Sequence, residues 1–357
     1  MALEEVPVPE DPWRIDVHHH VVPPAFVEAV ARSGRSVRTP AWSPESALAM
    51  MDRAGVKQAI TSLSTPGVQL GDPESAGSLA RDCNDYFAWM KAQRPERFGA
   101  FATLNLPDVP GACAEAEYAL DKLGLDGVNV LTHYDGRYLG HPAWHPLWKI
   151  LDERACVVHV HPTIPPYGAL ADLDAPPFLV EFLFETTRTA VDLIYKNVID
   201  DFPNIKFILS HAGGTLPYVA WRVADISWRQ LSERSMSPGE QQAHQYAIPL
   251  LERLTGAVKP ETLLERIGRF WYDTALSPAS HTLRSIVAVA GLDHIVFGSD
   301  WPYAPETMTR DSLDALAAGG WSDDELVAIG CGNATRLLGQ GGARSYSRDD
   351  VPAVGRG

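Results

Sequence analysis

The stretch RIDVHHHV, residues 14–21, reads as a β-strand that starts apolar and ends in three consecutive histidines. Side chains alternate along a strand, so His18 and His20 share one face and His19 points to the other. Two imidazoles on one face, two residues apart, can both reach one cation, and neutral imidazole suits transition-metal sites. A solvated histidine cluster or the remnant of an affinity tag is the blander reading, but three histidines embedded behind an apolar strand start make a poor tag.

Outward from this strand, short β-rich runs alternate with helical ones. Helical stretches are expected near 24–33 and 44–54, the second with Ser43 as its N-cap. Then follow a strand at 57–64, a helix at 76–93, a strand at 98–106 and a helix at 110–123 opened by Pro110. The fourth strand is 127–132, the next helix 145–154, the fifth strand 156–161 and a long helix 178–199. The sixth strand is 206–211, with helices at 216–231 and 260–267. The seventh strand is 269–274, a helix spans 282–290, the eighth strand is 295–300 and a last helix runs over 322–338. Eight strands alternating with helices predict an α/β protein with a parallel sheet, closed as a (β/α)8 TIM barrel. No linker divides the chain, so residues 1–339 read as one barrel domain and 340–357 as a mobile, Gly-rich tail. The Pro- and Ala-rich insertion 163–177 follows the fifth strand, where a barrel carries its active-site loops.

The 357 residues are 45% hydrophobic, ample for a large core, and 45 acidic against 30 basic residues leave a net charge of −15. That balance argues against nucleic-acid binding, which depends on neutralising phosphates. No apolar run approaches the roughly 18 residues of a membrane span. The N-terminal segment has no signal pattern, which makes the cytoplasm the default compartment. Cys83, Cys113, Cys156 and Cys331 are scattered, form no CxxC pair and read as small buried hydrophobes.

In a barrel the chemistry lies at the carboxyl ends of the strands. The fifth strand ends His159-Val160-His161-Pro162, where His161 is the better ligand candidate and His159, one layer deeper, reads as a hydrogen-bonded core histidine. The sixth ends Ser210-His211-Ala212-Gly213-Gly214, whose glycines allow close backbone approach. The eighth ends Gly298-Ser299-Asp300-Trp301-Pro302, and a buried aspartate there is costly unless it is paired or binds metal. The fourth strand carries Asn129, ends near His133 and contains no lysine to bridge two metals, which argues for a single ion.

The series DVHHH, the HP after the fifth strand, SHAGG after the sixth and GSDWPY after the eighth resembles the amidohydrolase superfamily, in its aminocarboxymuconate-semialdehyde decarboxylase-like branch. The stretches FETTRTAVDLI (184–194), SHAGGTLPY (210–218) and GNATRLLG (332–339) look closest to 6-methylsalicylate decarboxylases. The resemblance spans residue 15 to about 339. It implies metal ligands at His18, His20, His161 and Asp300, acid–base chemistry at His211, and substrate carboxylate binding at Arg222. His159 departs from the family pattern, where an apolar residue is expected.

The implied activity is non-oxidative decarboxylation of an ortho-hydroxy aromatic acid, with one divalent metal (zinc or manganese), no organic cofactor, and His211 and Asp300 as catalytic residues. The aromatic lining is expected from Trp301, Tyr303, Phe184 and Tyr167, with Trp301 as a substrate-binding residue. Asp273 is expected to hydrogen-bond a metal histidine, and Glu185 with Arg188 to form a structural ion pair. A hydrolase or hydratase of the same superfamily is the alternative, and a metal-free barrel that only binds a partner is a third. Apolar residues on the loop after the fifth strand and near Trp221–Trp228 suggest a homodimer or higher homo-oligomer.

Overall fold

A parallel eight-stranded sheet closes around the site, in a computed structural model that describes residues 12–71, 73–166, 175–232 and 260–339. Its strands are β1 (Arg14–His20), β2 (Val56–Ser62), β3 (Phe98–Thr103), β4 (Gly127–Leu131), β7 (Val157–His161), β8 (Lys206–Leu209), β9 (Trp271–Asp273) and β10 (Ile295–Val296). They neighbour one another in chain order, while β5 (His133–Tyr134) and β6 (Arg137–Tyr138) form a separate antiparallel hairpin. The expected TIM-barrel architecture is therefore the observed one.

Closure is made by backbone beyond β10. The Val17 amide donates to the Phe297 carbonyl at 3.0 Å, the Asp300 amide to the His18 carbonyl at 2.8 Å, and the His20 amide to the Trp301 carbonyl at 2.7 Å. The eighth strand, expected over 295–300, is thus only two paired residues followed by a closing segment that leans on β1. Asp300 takes a left-handed backbone, φ 62°, which no regular strand continues. The sixth strand likewise stops at Leu209, because His211 and Ala212 are left-handed (φ 54° and 57°). The long helix expected at 178–199 is broken: Glu181–Tyr195 is helical, Asn197 turns at φ 58°, and Val198–Asp201 adds one more turn.

A helix and a hairpin were among the elements not foreseen. The helix Glu306–Ala317 buries Thr309, Ser312 and Leu316, so two of its three inward positions are polar and hide the apolar period. The β5–β6 hairpin turns on Asp135-Gly136, both with positive φ (49° and 75°), as a two-residue hairpin requires. The helix Pro44–Arg53 starts as anticipated: Ser43 accepts from the Ser46 amide, Ser46 returns the bond, and Pro44 fills the first position.

Below the site, Ile15, Ile60, Phe101, Val157, Ile208, Trp271 and Val296 form one apolar cluster contributed by seven strands. Ala334 and Leu337 of the last helix pack against it. A polar layer therefore rests on a filled floor, with the His159 ring stacked on Phe101 at 5.8 Å between centroids. Cys83, Cys156 and Cys331 are buried thiols as expected, whereas Cys113 is only half-buried. No helix among the described residues is long and apolar enough to cross a membrane.

Candidate metal centre

Four side chains from three places in the chain converge at the barrel mouth. The ligand atoms of His18, His20, His161 and Asp300 all lie within 4.8 Å of one another, and all four residues are buried. His18 Nε2 and His20 Nε2 are 3.2 Å apart, and Asp300 Oδ1 lies 3.4 Å from the first and 3.1 Å from the second. Strand alternation delivers the two histidines, even though the β1–β2 register shifts between Asp16 and His19. The closing segment delivers Asp300, since its amide is bonded to the His18 carbonyl.

What each ring does with its other nitrogen decides the chemistry. His18 Nδ1 donates to Asp273 Oδ2 at 2.7 Å, His161 Nδ1 to the Pro162 carbonyl at 2.8 Å, and His20 Nδ1 to the Ser62 carbonyl at 3.3 Å. Carboxylate and carbonyl oxygens only accept, so each Nδ1 carries the proton and each Nε2 presents a lone pair. Three imidazole lone pairs and one carboxylate, turned toward one another in a buried space, suit a divalent cation. This donor set is the observation by which a metal fits the site.

The electrostatics agree. Burial disfavours charge on His161 and, with the nearby His20 and His18, holds its pKa well below the usual value; burial and His18 lower His20 too. Burial works against charge on His18 as well, but the adjacent Asp273 and Asp300 carboxylates prevail and raise it to about 10. Burial would raise Asp300, yet its bonds to His18 and His20 hold it well below the ordinary carboxylate range.

Asp273 is the pivot beneath. It accepts from His18 Nδ1, from the His211 amide at 2.8 Å and the Ala275 amide at 3.0 Å, and lies 3.4 Å from His159 Nε2. His211 donates from Nδ1 to the Ala275 carbonyl at 3.1 Å, which leaves its Nε2 as the free nitrogen, 5.0 Å separating its ring centre from that of His18. His159 is fully buried and satisfied: Asn129, whose Nδ2 is fixed on the Leu63 carbonyl, accepts from its Nδ1 at 2.8 Å. Burial lowers the His159 pKa to about 4.

His19 turns to Asp16, its Nδ1 donating to Oδ2 at 3.0 Å, while Asp16 also accepts from the Ser299 hydroxyl at 2.6 Å and the Ser299 amide at 3.0 Å. This Asp16–Ser299 tie was missed; an aspartate two residues before His18 and a serine beside Asp300 were its only signal. The structure does not bring every anticipated residue to the site. The Trp301 ring packs on His19, 5.0 Å between centroids, and Arg222 is exposed on the helix Leu216–Ser232. Phe184 is 42% exposed; Phe182, three residues from Glu185, is the aromatic that meets His161, at 6.4 Å. Tyr303 does reach the mouth, its ring 5.3 Å from that of His20. Tyr167 and the segment 340–357 lie outside the described residues.

Residues 15–340 match the family model described as Amidohydrolase. A decarboxylase (yanB) of Aspergillus niger is 38% identical over 82% of this chain and 78% of its own length. The 6-methylsalicylic acid decarboxylase of Penicillium expansum is 36% identical over 91% of this chain and 96% of its own. Among solved structures, the 2,6-dihydroxybenzoate decarboxylase from Rhizobium superposes with a TM-score of 0.74 at 25% identity, covering 92% of this chain and 99% of that one. With a match that runs through all eight strands and both ends of the ligand set, the chain belongs to the amidohydrolase family.

Proposed function

We propose that the protein is a metal-dependent, non-oxidative decarboxylase of an ortho-hydroxybenzoate of the 6-methylsalicylate type. The observation that carries this reading is the buried, proton-ordered set His18, His20, His161 and Asp300, in a chain whose curated relatives act as decarboxylases. His18, His20 and His161 through Nε2, and Asp300 through a carboxylate oxygen, would hold one divalent ion, zinc or manganese. Such an ion supplies Lewis-acid stabilisation of negative charge on a bound carboxylate and phenolic oxygen.

The rest falls to the chain. Asp300, ionised at rest, accepts the proton of the ortho hydroxyl and passes it to the ring carbon that bears the carboxylate. That carbon becomes tetrahedral, the bond to the carboxylate breaks, and its electron pair restores the aromatic ring as carbon dioxide leaves. Solvent reprotonates the phenolate. His211, its backbone amide held by Asp273 and its Nδ1 by Ala275, offers the Nε2 lone pair to steady the proton as it moves. Tyr303, pushed up to about 12 by burial and the nearby Asp300 charge, stays a neutral phenol and keeps water from the metal side.

A homodimer or higher homo-oligomer accords with Tyr218 and Trp221, which are 87% and 58% exposed on one helix. The functional test is carbon dioxide release from a panel of hydroxybenzoates by metal-loaded protein. A product that has gained water instead supports a hydrolase or hydratase and sinks the decarboxylase reading.

A further inference from the structure

Each of the three ligand histidines is aimed by a bond from its Nδ1, and Asp300 has no such tether. Among the described residues its carboxylate pairs only with His18 and His20, at 3.4 and 3.1 Å, and both belong to the ligand set themselves. The direction of the Asp300 side chain therefore comes from its backbone. That backbone is left-handed, φ 62°, in a residue other than glycine. Such a conformation persists only where the surroundings over-determine it.

The surroundings converge on one buried carboxylate, Asp16. Along β1 the chain advances three residues, from Asp16 to His19, while β2 advances two, from Ala59 to Thr61. Inside this bulge the His18 amide donates to Asp16 Oδ1 at 3.1 Å. The Ser299 amide donates to the same oxygen at 3.0 Å. Oδ2 accepts from the Ser299 hydroxyl at 2.6 Å and from His19 Nδ1 at 3.0 Å. Four donors thus fill the acceptor positions of a single carboxylate. The Ser299 hydroxyl oxygen accepts in turn from the Trp301 amide at 3.1 Å, and the Asp300 amide is held by the His18 carbonyl at 2.8 Å. The residues on both sides of Asp300 are therefore tied to Asp16, one directly and one through a hydroxyl. His19, whose ring packs on Trp301, closes the clamp from the face opposite the metal ligands.

We propose that Asp16 is the positioning residue for Asp300. Through Ser299 it holds the closing segment so that the Asp300 carboxylate faces the three imidazoles, and so sets both metal affinity and proton transfer from outside the ligand set. Asp16 does for the carboxylate ligand what Asp273 does for His18. The proton-transfer part rests on the decarboxylase reading; the metal part does not.

Three measurements test this: Mn2+ titrated into metal-free protein by competition with a chelating dye, the visible absorption of Co2+-loaded protein, and 6-methylsalicylate turnover at saturating Mn2+. Ser299→Ala, which deletes one hydroxyl, is expected to weaken Mn2+ binding about tenfold, and Asp16→Ala about 100-fold. The Co2+ bands should change in intensity, because the carboxylate donor is displaced. At saturating metal, Ser299→Ala should lower kcat about tenfold and move KM less than about threefold, the pattern of an interaction that acts on the chemical step and not on substrate binding. Leu151→Ala, a cavity in the helix His145–Glu153, is the control: it lowers the melting temperature and leaves Mn2+ affinity unchanged. Asp16→Ala strips the acceptor from four buried donors, so if it does not fold, Ser299→Ala and its Co2+ spectrum carry the test. Folded Ser299→Ala with wild-type affinity, spectrum and kcat, or an equal loss of affinity in Leu151→Ala, overturns the proposal. A wild type that releases no carbon dioxide, with the affinity and spectral changes intact, ends the decarboxylase reading and leaves Asp16 in its role.

Discussion

Asp273 ties two histidines of the site together through one carboxylate. It fixes the His18 tautomer and anchors the His211 backbone, so its loss should loosen both at once. Asp273→Asn is expected to weaken metal binding by about 10–100-fold, the usual cost of removing a partner that orients a metal histidine. A metal titration read by competition with a chelating dye checks this. Asp300→Asn removes the proton carrier, and kcat should fall by at least about 10²-fold, the low end of what general acid–base help supplies. Single-turnover carbon dioxide release measures it. The pair His18–His20 was legible from strand alternation, and His161 and Asp300 from their places at strand ends. Asp273 was legible as the partner of one metal histidine, and it holds His18 Nδ1; the partners of the other Nδ1 atoms were not. Three of those partners are backbone carbonyls, of Ser62, Pro162 and Ala275, and any residue type supplies a carbonyl.

At the level of elements, the site depends on two places where a strand fails to continue. The turn after β8 puts four successive residues, His211 to Gly214, at positive φ. A Cβ on Gly214 would sit 2.0 Å from the Leu183 carbonyl oxygen, so backbone would have to move. Gly214→Ala is expected to destabilise the fold by more than about 1 kcal/mol, visible as a lower melting temperature. The SHAGG motif announced close approach, but the expected strand 206–211 ran two residues too far, because the left-handed turn that begins at His211 carries no strand-breaking residue before Gly213. The closing segment after β10 was misread for a related reason. The apolar start Ile295-Val296-Phe297 invites a strand that runs on to residue 300, while the segment's partner on β1 is fixed only by barrel closure, a contact between distant parts of the chain. Helix Glu306–Ala317 escaped notice because Thr309 and Ser312 occupy its buried face.

Across the whole molecule, the barrel count followed from eight alternations of period, and its closure needed only that count. A buried site of three imidazoles and a carboxylate should couple metal to stability. A metal held at 100 times its Kd adds about 2.7 kcal/mol, so a chelator should lower the melting temperature and excess metal restore it. Buried thiols set a limit on the alkaline side. Burial pushes Cys156 up to about 12 and Cys331 to about 11, from an ordinary 9.0. Between pH 9 and those values the unfolded thiols release protons that the folded ones keep, so the unfolded state binds fewer protons and stability falls as pH rises. Denaturant titrations at pH 8 and pH 10.5 should show the loss, and a Cys156→Ala, Cys331→Ala double variant should show less of it. The central claim is that the four-ligand site at the barrel mouth removes carbon dioxide from an ortho-hydroxybenzoate. Its most direct test is mass-spectrometric detection of labelled carbon dioxide from carboxyl-labelled 6-methylsalicylate, by metal-loaded wild-type protein beside the chelated protein and His18→Ala. Label released as carbon dioxide by the loaded wild type alone is the predicted result; label retained in the organic product, or released equally by all three, would contradict the account.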